Sequence, residues 1–170
     1  MERMWAPWRG DYVTGGSEQE DGCLFCRKGA PGDDEARQVL KRGEHCFILL
    51  NRYPYNVGHL MIAPYRHVAE LDGLNPEELR EILILTQEGI AALKSVMAPQ
   101  GFNVGFNLGS CAGAGIADHL HLHVVPRWAG DTNYMPVLAG TRVMPQSLED
   151  VFSQLKERFQ PCEPRQSDES

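Results

Sequence analysis

His119-Leu120-His121-Leu122-His123-Val124-Val125 decides how this chain is read. Three of its six histidines stand here, alternating with large aliphatics. Side chains alternate across a strand, so the three imidazoles share one face while Leu120, Leu122 and Val124 share the other. The aliphatic face belongs to a core. Three imidazoles pack poorly there, because their ring nitrogens need partners. Three readings follow: a solvated sheet face, a three-histidine metal site, or a nucleophilic imidazole with histidine neighbours. The aliphatic positions mark a central strand and argue against the solvated face.

Just before this strand lies Gly109-Ser110-Cys111-Ala112-Gly113-Ala114-Gly115. Such a loop brings its backbone close to a ligand and offers N–H groups to an anion. It runs directly into a row of potential nucleophiles, and phosphate is the anion that suits both.

Further out, Cys46–Leu50 and Leu60–Ala63 are short apolar runs bounded by turn residues and read as strands, joined by a loop over 51–59. Asn75-Pro76-Glu77-Glu78 has an N-cap, a proline at the first helical position and a glutamate three residues on. Leu79, Ile82, Leu83, Thr86, Ile90, Leu93 and Met97 then recur at helical spacing, so a helix is expected over 76–97. Phe102–Leu108 and Asp118–Pro126 read as strands, and a shorter helix is expected from Ser147 to Phe159. Neighbouring strands mixed with one long helix predict an antiparallel α+β domain.

The chain has 170 residues, the size of one domain, with a net charge of −7. Residues 1–22 read as an arm, 23–160 as the domain and 161–170 as a frayed polar tail. Trp5 and Trp8 are expected to pack on the body or on a partner subunit. So acidic a chain has little attraction for a nucleic-acid backbone. No apolar run reaches the ~20 residues of a membrane span, and the opening residues lack the apolar stretch of an export signal. A cytoplasmic location and no membrane partner are expected. Five cysteines, an odd number at irregular spacing, argue against a disulfide framework.

The histidine run resembles the His-φ-His-φ-His-φ-φ signature of the histidine triad (HIT) superfamily of nucleotide hydrolases and transferases. Asn51 stands eight residues before His59, and Asn107-Leu108-Gly109-Ser110 precedes the glycine loop, both as in that family. Trp5-Ala6-Pro7-Trp8-Arg9 and Pro126-Arg127-Trp128, with Gly130-Asp131 and Asn133-Tyr134, resemble the prokaryotic branch that contains diadenosine tetraphosphate phosphorylases. The resemblance implies a homodimer of α+β subunits, each with about five antiparallel strands, one long helix and a shorter C-terminal helix. It implies that His121 attacks the α-phosphate of a dinucleoside polyphosphate and forms a covalent nucleotidyl-histidine, released by water or phosphate. The carbonyl of His119 would hold the His121 ring, and His123 would assist at a phosphate oxygen. Asn51 would bind the ribose; Asn107 and the Gly113-Ala114-Gly115-Ile116 backbone would bind phosphates. His59 would lie near the triad, with a satisfied core histidine as the plain alternative.

One departure stands out. Many relatives carry a Gln-Ser or Gly-Ser pair in the loop, where this chain has Ala114-Gly115. A nucleotide-binding or regulatory module without turnover is therefore a second reading, and a three-histidine metalloenzyme a third.

Cys23-x2-Cys26 is half a zinc site, which His67 and His119 would close as a Cys2His2 tetrahedron. By resemblance, the first histidine of the triad is such a ligand in several family members. A structural zinc is expected; reduced thiols without metal are the alternative. Cys46 reads as a small core residue. No organic cofactor is expected.

Overall fold

Asn75-Pro76-Glu77-Glu78 does start the long helix. In the computed structural model, which describes residues 22–131 and 146–159, this helix (α2) spans Pro76–Met97. Asn75 Oδ1 accepts from the Glu78 N–H at 2.7 Å, and the Glu78 carboxylate accepts from the Asn75 N–H at 2.9 Å. Such a cap is worth about 1 kcal/mol. The Trp5–Trp8 arm, Asn133-Tyr134 and the tail beyond 160 lie outside the described residues.

The other elements are a short helix α1 (Leu24–Gly29), strands β1 (Val39–Arg42), β2 (Cys46–Leu50), β3 (Leu60–Pro64), β4 (Gly101–Phe106) and β5 (Leu122–Arg127), and helix α3 (Leu148–Phe159). The five strands form one antiparallel sheet in the order β1-β2-β3-β5-β4. Ser147 caps α3, its hydroxyl accepting from the Asp150 N–H at 3.1 Å.

Both faces of the central strands are covered, which is why β2 and β3 read as unbroken apolar runs. Ile48, Leu50, Leu60, Ile62, Leu122 and Val124 pack under α2 and α3. Phe47, Leu49, Met61 and Ala63 face the other way, with Phe25 and Val39. Each large aliphatic buried this way contributes roughly 1.5–3 kcal/mol. Gly58 turns the chain into β3 with φ +75°, and a Cβ there would lie 2.8 Å from Met97 Sδ. Only glycine fits.

Three local expectations are corrected. The buried arc of α2 centres on Ile82, Leu85, Gly89, Ala92 and Leu93, while Leu79 and Leu83 are exposed. The helix packs through small residues that let it approach β3, and Gly89 sits against Leu60. β5 begins at Leu122 rather than Asp118, because the Leu120 N–H donates to Val68 O at 2.6 Å instead of to a neighbouring strand. β4 stops at Phe106, two residues early. Helix α1 and strand β1 were not anticipated: α1 has six residues, and β1 has only two apolar residues before Lys41 and Arg42.

Candidate active site

The three rings do share one side of the sheet, opposite Leu120, Leu122 and Val124, and all three are buried. They do not converge on a point. His119 turns toward the cysteines, His121 is held by the main chain, and His123 is paired with His59. Among the described residues no metal-binding group combines His119, His121 and His123. The three-histidine metal centre is therefore set aside.

His121 Nδ1 lies 2.8 Å from the His119 carbonyl. A carbonyl only accepts, so Nδ1 carries the proton and the Nε2 lone pair is available. Burial pushes the His121 pKa below its ordinary 6.5, opposed by the hydrogen bond to the His119 carbonyl. The ring is thus kept neutral, the state in which it is a nucleophile.

His59, fully buried at the start of β3, supplies the next proton. Its Nδ1 receives the Tyr55 backbone N–H at 3.0 Å and lies 3.2 Å from Asn51 Nδ2. Two N–H groups aimed at Nδ1 make it an acceptor, so the proton of the neutral ring sits on Nε2. That Nε2–H points at His123 Nδ1, 2.9 Å away. A neutral His123 then carries its own proton on Nε2. Asn107 Nδ2 lies 3.4 Å from His123 Nε2, and turning this amide over would present its oxygen to an Nε2–H. Main-chain geometry in the 51–59 loop thereby sets the tautomer of a ring on another strand. His59 is both a satisfied core histidine and a partner of the triad.

That loop is itself pinned. Asn56 Nδ2 donates to Pro126 O at 3.1 Å and to Asp131 Oδ2 at 2.9 Å, and the Asp131 carboxylate also takes the Arg127 guanidinium at 2.6 and 2.9 Å. The Asn56 carbonyl accepts the His59 N–H at 3.1 Å. The Arg127…Asp131 part of the motif after β5 thus fixes the Tyr55–His59 geometry.

Asn51 is turned inward: its Oδ1 accepts the Tyr53 N–H at 2.9 Å. In the glycine loop a short turn over Ser110–Ala112 directs the N–H groups of Ala112 and Ala114 to Gly109 O and that of Gly113 to Ser110 O. The loop as it stands is not a row of free donors throughout. Ala114 and Gly115 follow, and Ile116 packs against the Phe25 cluster, which carries the end of the loop to the triad side of the sheet. A pocket of about 270 Å³ borders Asn51 but is walled by Leu50, Val57, Leu148 and Val151 of the helix side. It contains no triad residue.

Cys23, Cys26, His67 and His119 bring one ligand atom each to within 4.8 Å of one another. His119 Nε2–H donates to Pro64 O at 3.0 Å, leaving its Nδ1 lone pair facing Cys23 Sγ at 3.2 Å and Cys26 Sγ at 3.6 Å. His67 Nδ1 lies 3.4 Å from Cys26 Sγ. Two soft sulfurs, two imidazole nitrogens and a carbonyl holding the far side of one ring are the donor set and outer partner of a tetrahedral zinc site. The residues fit the metal. Burial, and then Cys23 beside it, push the Cys26 thiol up, a cost that a bound cation would reverse. Cys46, by contrast, is a buried core thiol pushed up to about 12 by burial.

Two contributors to the site gave no signal in the reading of the sequence. Phe25 meets the His119 and His121 rings at a tilt, and the Tyr55 ring lies tilted against His59 at 4.7 Å between centroids and against His123 at 5.6 Å. Phe25 stands between two cysteines and Tyr55 within the 51–59 loop, positions that carry no pattern of their own.

The family model for the HIT domain matches residues 34–130, more than half of the chain. This chain belongs to the HIT family. The HIT chain is 42% identical over 156 residues to a protein named AP-4-A phosphorylase from Mycobacterium tuberculosis, covering 88% of this chain and 80% of that one. A Schizosaccharomyces pombe protein named bis(5'-nucleosyl)-tetraphosphatase (asymmetrical) is 29% identical over 94 residues, covering 55% of this chain and 51% of that one. The HIT fold itself is matched by a zinc-bound histidine triad protein from Mycobacterium smegmatis, with TM-score 0.64 and 26% identity, covering 81% of this chain and 93% of that one. No helix among the described residues is long and apolar enough to cross a membrane.

Proposed function

We propose that this HIT protein is an enzyme that transfers a nucleotidyl group from a dinucleoside polyphosphate through His121. One observation carries the reading: His121 Nδ1 is tied to the His119 carbonyl at 2.8 Å, which leaves a neutral ring with a free Nε2 lone pair. In the first step Nε2 attacks the α-phosphorus. The bond from that phosphorus to the bridging oxygen breaks, its electron pair stays on the oxygen, and the His123 Nε2–H hydrogen-bonds to that oxygen as its charge develops. A water or phosphate oxygen then attacks the same phosphorus and displaces the imidazole, whose electron pair returns to Nε2; when water attacks, its proton passes to solvent. Donors aimed at oxygens where charge develops are the usual source of acceleration in such transfers. Asn51, Asn107 and the Gly113–Ile116 backbone are the proposed contacts to ribose and phosphates; Asn51 and the loop amides open from their present partners when substrate binds.

The similarity to a protein named AP-4-A phosphorylase favours phosphate as second acceptor. With diadenosine tetraphosphate as substrate, adding inorganic phosphate is expected to change the products from AMP plus ATP to ADP plus ATP. AMP and ATP alone in the presence of phosphate would make it a hydrolase. Binding with no product at all would make it a regulatory module.

The proposed metal is a structural zinc on Cys23, Cys26, His67 and His119. Bound there, zinc is closed to substrate and supplies rigidity, not Lewis-acid chemistry. The chain's own residues provide the rest: His119 offers Nδ1 to the metal and its carbonyl to His121.

The proposed assembly is a homodimer through β4. This strand lies at the sheet edge, and Val104 is 47% exposed on the same face as Phe102 and Phe106, which pack into the helix-side core. A second copy pairing there would cover both the open backbone and Val104. Light scattering is expected to give twice the 19.0 kDa chain mass, and Val104→Glu to give one chain; a wild-type monomer would contradict this assembly. The domain is proposed to span 23–160, in the cytoplasm, with no nucleic-acid or membrane partner.

A further inference from the structure

We propose that Phe25 is a positioning residue for the His121 ring, and that the Cys23/Cys26 cluster acts on catalysis by holding Phe25 in place. This rests on His121 being the nucleophile.

A single hydrogen bond from Nδ1 leaves the imidazole free to twist, because the torsion at the ring is broad and roughly two-fold. A twist moves the Nε2 lone pair off the line of attack. The His121 ring is limited by its neighbours: Phe25 lies over it with centroids 4.5 Å apart and planes at 31°, and His123 meets it edge-on at 4.8 Å and 71°. Phe25 also lies 5.2 Å from the His119 ring, so it contacts both His119, whose main-chain carbonyl holds His121, and His121 itself. When Nε2 bonds to phosphorus with Nδ1 still protonated, the ring becomes cationic. An aromatic face stabilises that charge and an aliphatic side chain does not.

Phe25 is 1% exposed and packs with Phe47, Leu49 and Met61. It sits in α1, whose six residues are too few to stand as an isolated helix. Two clamps hold that helix. Cys23 and Cys26 approach His119 and His67 at one end. At the other, the Arg42 guanidinium donates to Gly29 O at 2.6 Å and to Ala30 O at 3.0 Å. The sequence order Cys23-Leu24-Phe25-Cys26 puts the contact residue inside the metal loop. Metal held by the cysteines and the orientation of the nucleophile are therefore coupled through one side chain.

The test uses Phe25→Leu, which keeps an apolar side chain but removes the ring. It is expected to retain the metal content of the wild type, to leave KM within about twofold, and to lower kcat about 10–100-fold, the scale of a small misplacement of reacting groups. The His121 ring nitrogens should shift in 15N NMR, and wild-type protein stripped of metal should show a shift in the same direction. In the intact wild type, contacts between Phe25 ring protons and His121 ring protons are expected in nuclear Overhauser spectra, whether or not the variant folds. Unchanged kcat and unchanged His121 signals in the variant, or no Phe25–His121 contact in the wild type, would overturn the proposal. A wild-type enzyme that forms no adduct on His121 would instead remove the reading beneath it.

Discussion

Replacing His121 with alanine is expected to lower nucleotide turnover on the order of 10⁴-fold or more, with the fold and metal content unchanged. The size follows from the geometry. His123 is committed to His59 through Nδ1 and presents a proton on Nε2, and His119 has its Nε2–H on Pro64 O and its Nδ1 toward the cysteines. Neither can take over as nucleophile without giving up its partner. Turnover within about tenfold of wild type would remove the covalent route. The pH profile belongs to the same expectation. Burial lowers the His121 pKa below 6.5, so the ring should stay reactive as pH falls through 6.5 and lose activity only below it. The sign for stability is the same. The folded pKa lies below the unfolded one, so the unfolded chain takes the proton first as pH falls. The contribution of this ring is full above about 6.5 and is lost as pH drops toward the folded value. An acid limb centred above 6.5, in a pH–rate profile or a melting curve, would contradict the burial argument.

Cys26→Ser is the second large effect. The variant is expected to lose one bound zinc per chain and to melt well below the wild type. A ligand present at 1,000 times its Kd stabilises by about 4 kcal/mol, which for a chain of this size is about 8–16 °C in Tm. The domain keeps its own core between sheet and helices, so it should remain folded rather than collapse as a zinc finger does. Metal analysis and calorimetry on the purified protein decide it. Full zinc content would show that the cluster is not the metal site, and an unchanged Tm after zinc loss would show that the metal does not stabilise the fold.

Much of this site was legible because strand periodicity does simple work. Alternation alone placed the three imidazoles opposite Leu120, Leu122 and Val124, and the capping box placed the start of α2 to the residue. The spacing of Cys23 and Cys26 pointed to metal, and the two histidines needed to close the set do come to them. Other features depend on distant backbone, which no local pattern encodes. The strand begins at Leu122 because Val68 O claims the Leu120 N–H. The tautomer of His59 is set by the Tyr55 main-chain N–H, and the inward turn of Asn51 by the Tyr53 N–H. Strand β1 was missed because its buried part is only Val39 and Leu40, and α1 because tertiary clamps rather than helix propensity hold it. Arg127 and Asp131 were recognised as a motif, but their work on Asn56, seventy or more residues earlier in the chain, needed the fold to be seen.

The most direct measurement is to quench the reaction with labelled diadenosine tetraphosphate in its first turnover, digest the protein, and locate the label by mass spectrometry under conditions that preserve phosphoramidates. One adenylyl group on the His121 peptide, formed and consumed at rates matching turnover and missing from His121→Ala, is the expected result. Product formation with no adduct at His121, or an adduct on a different residue, would contradict the account.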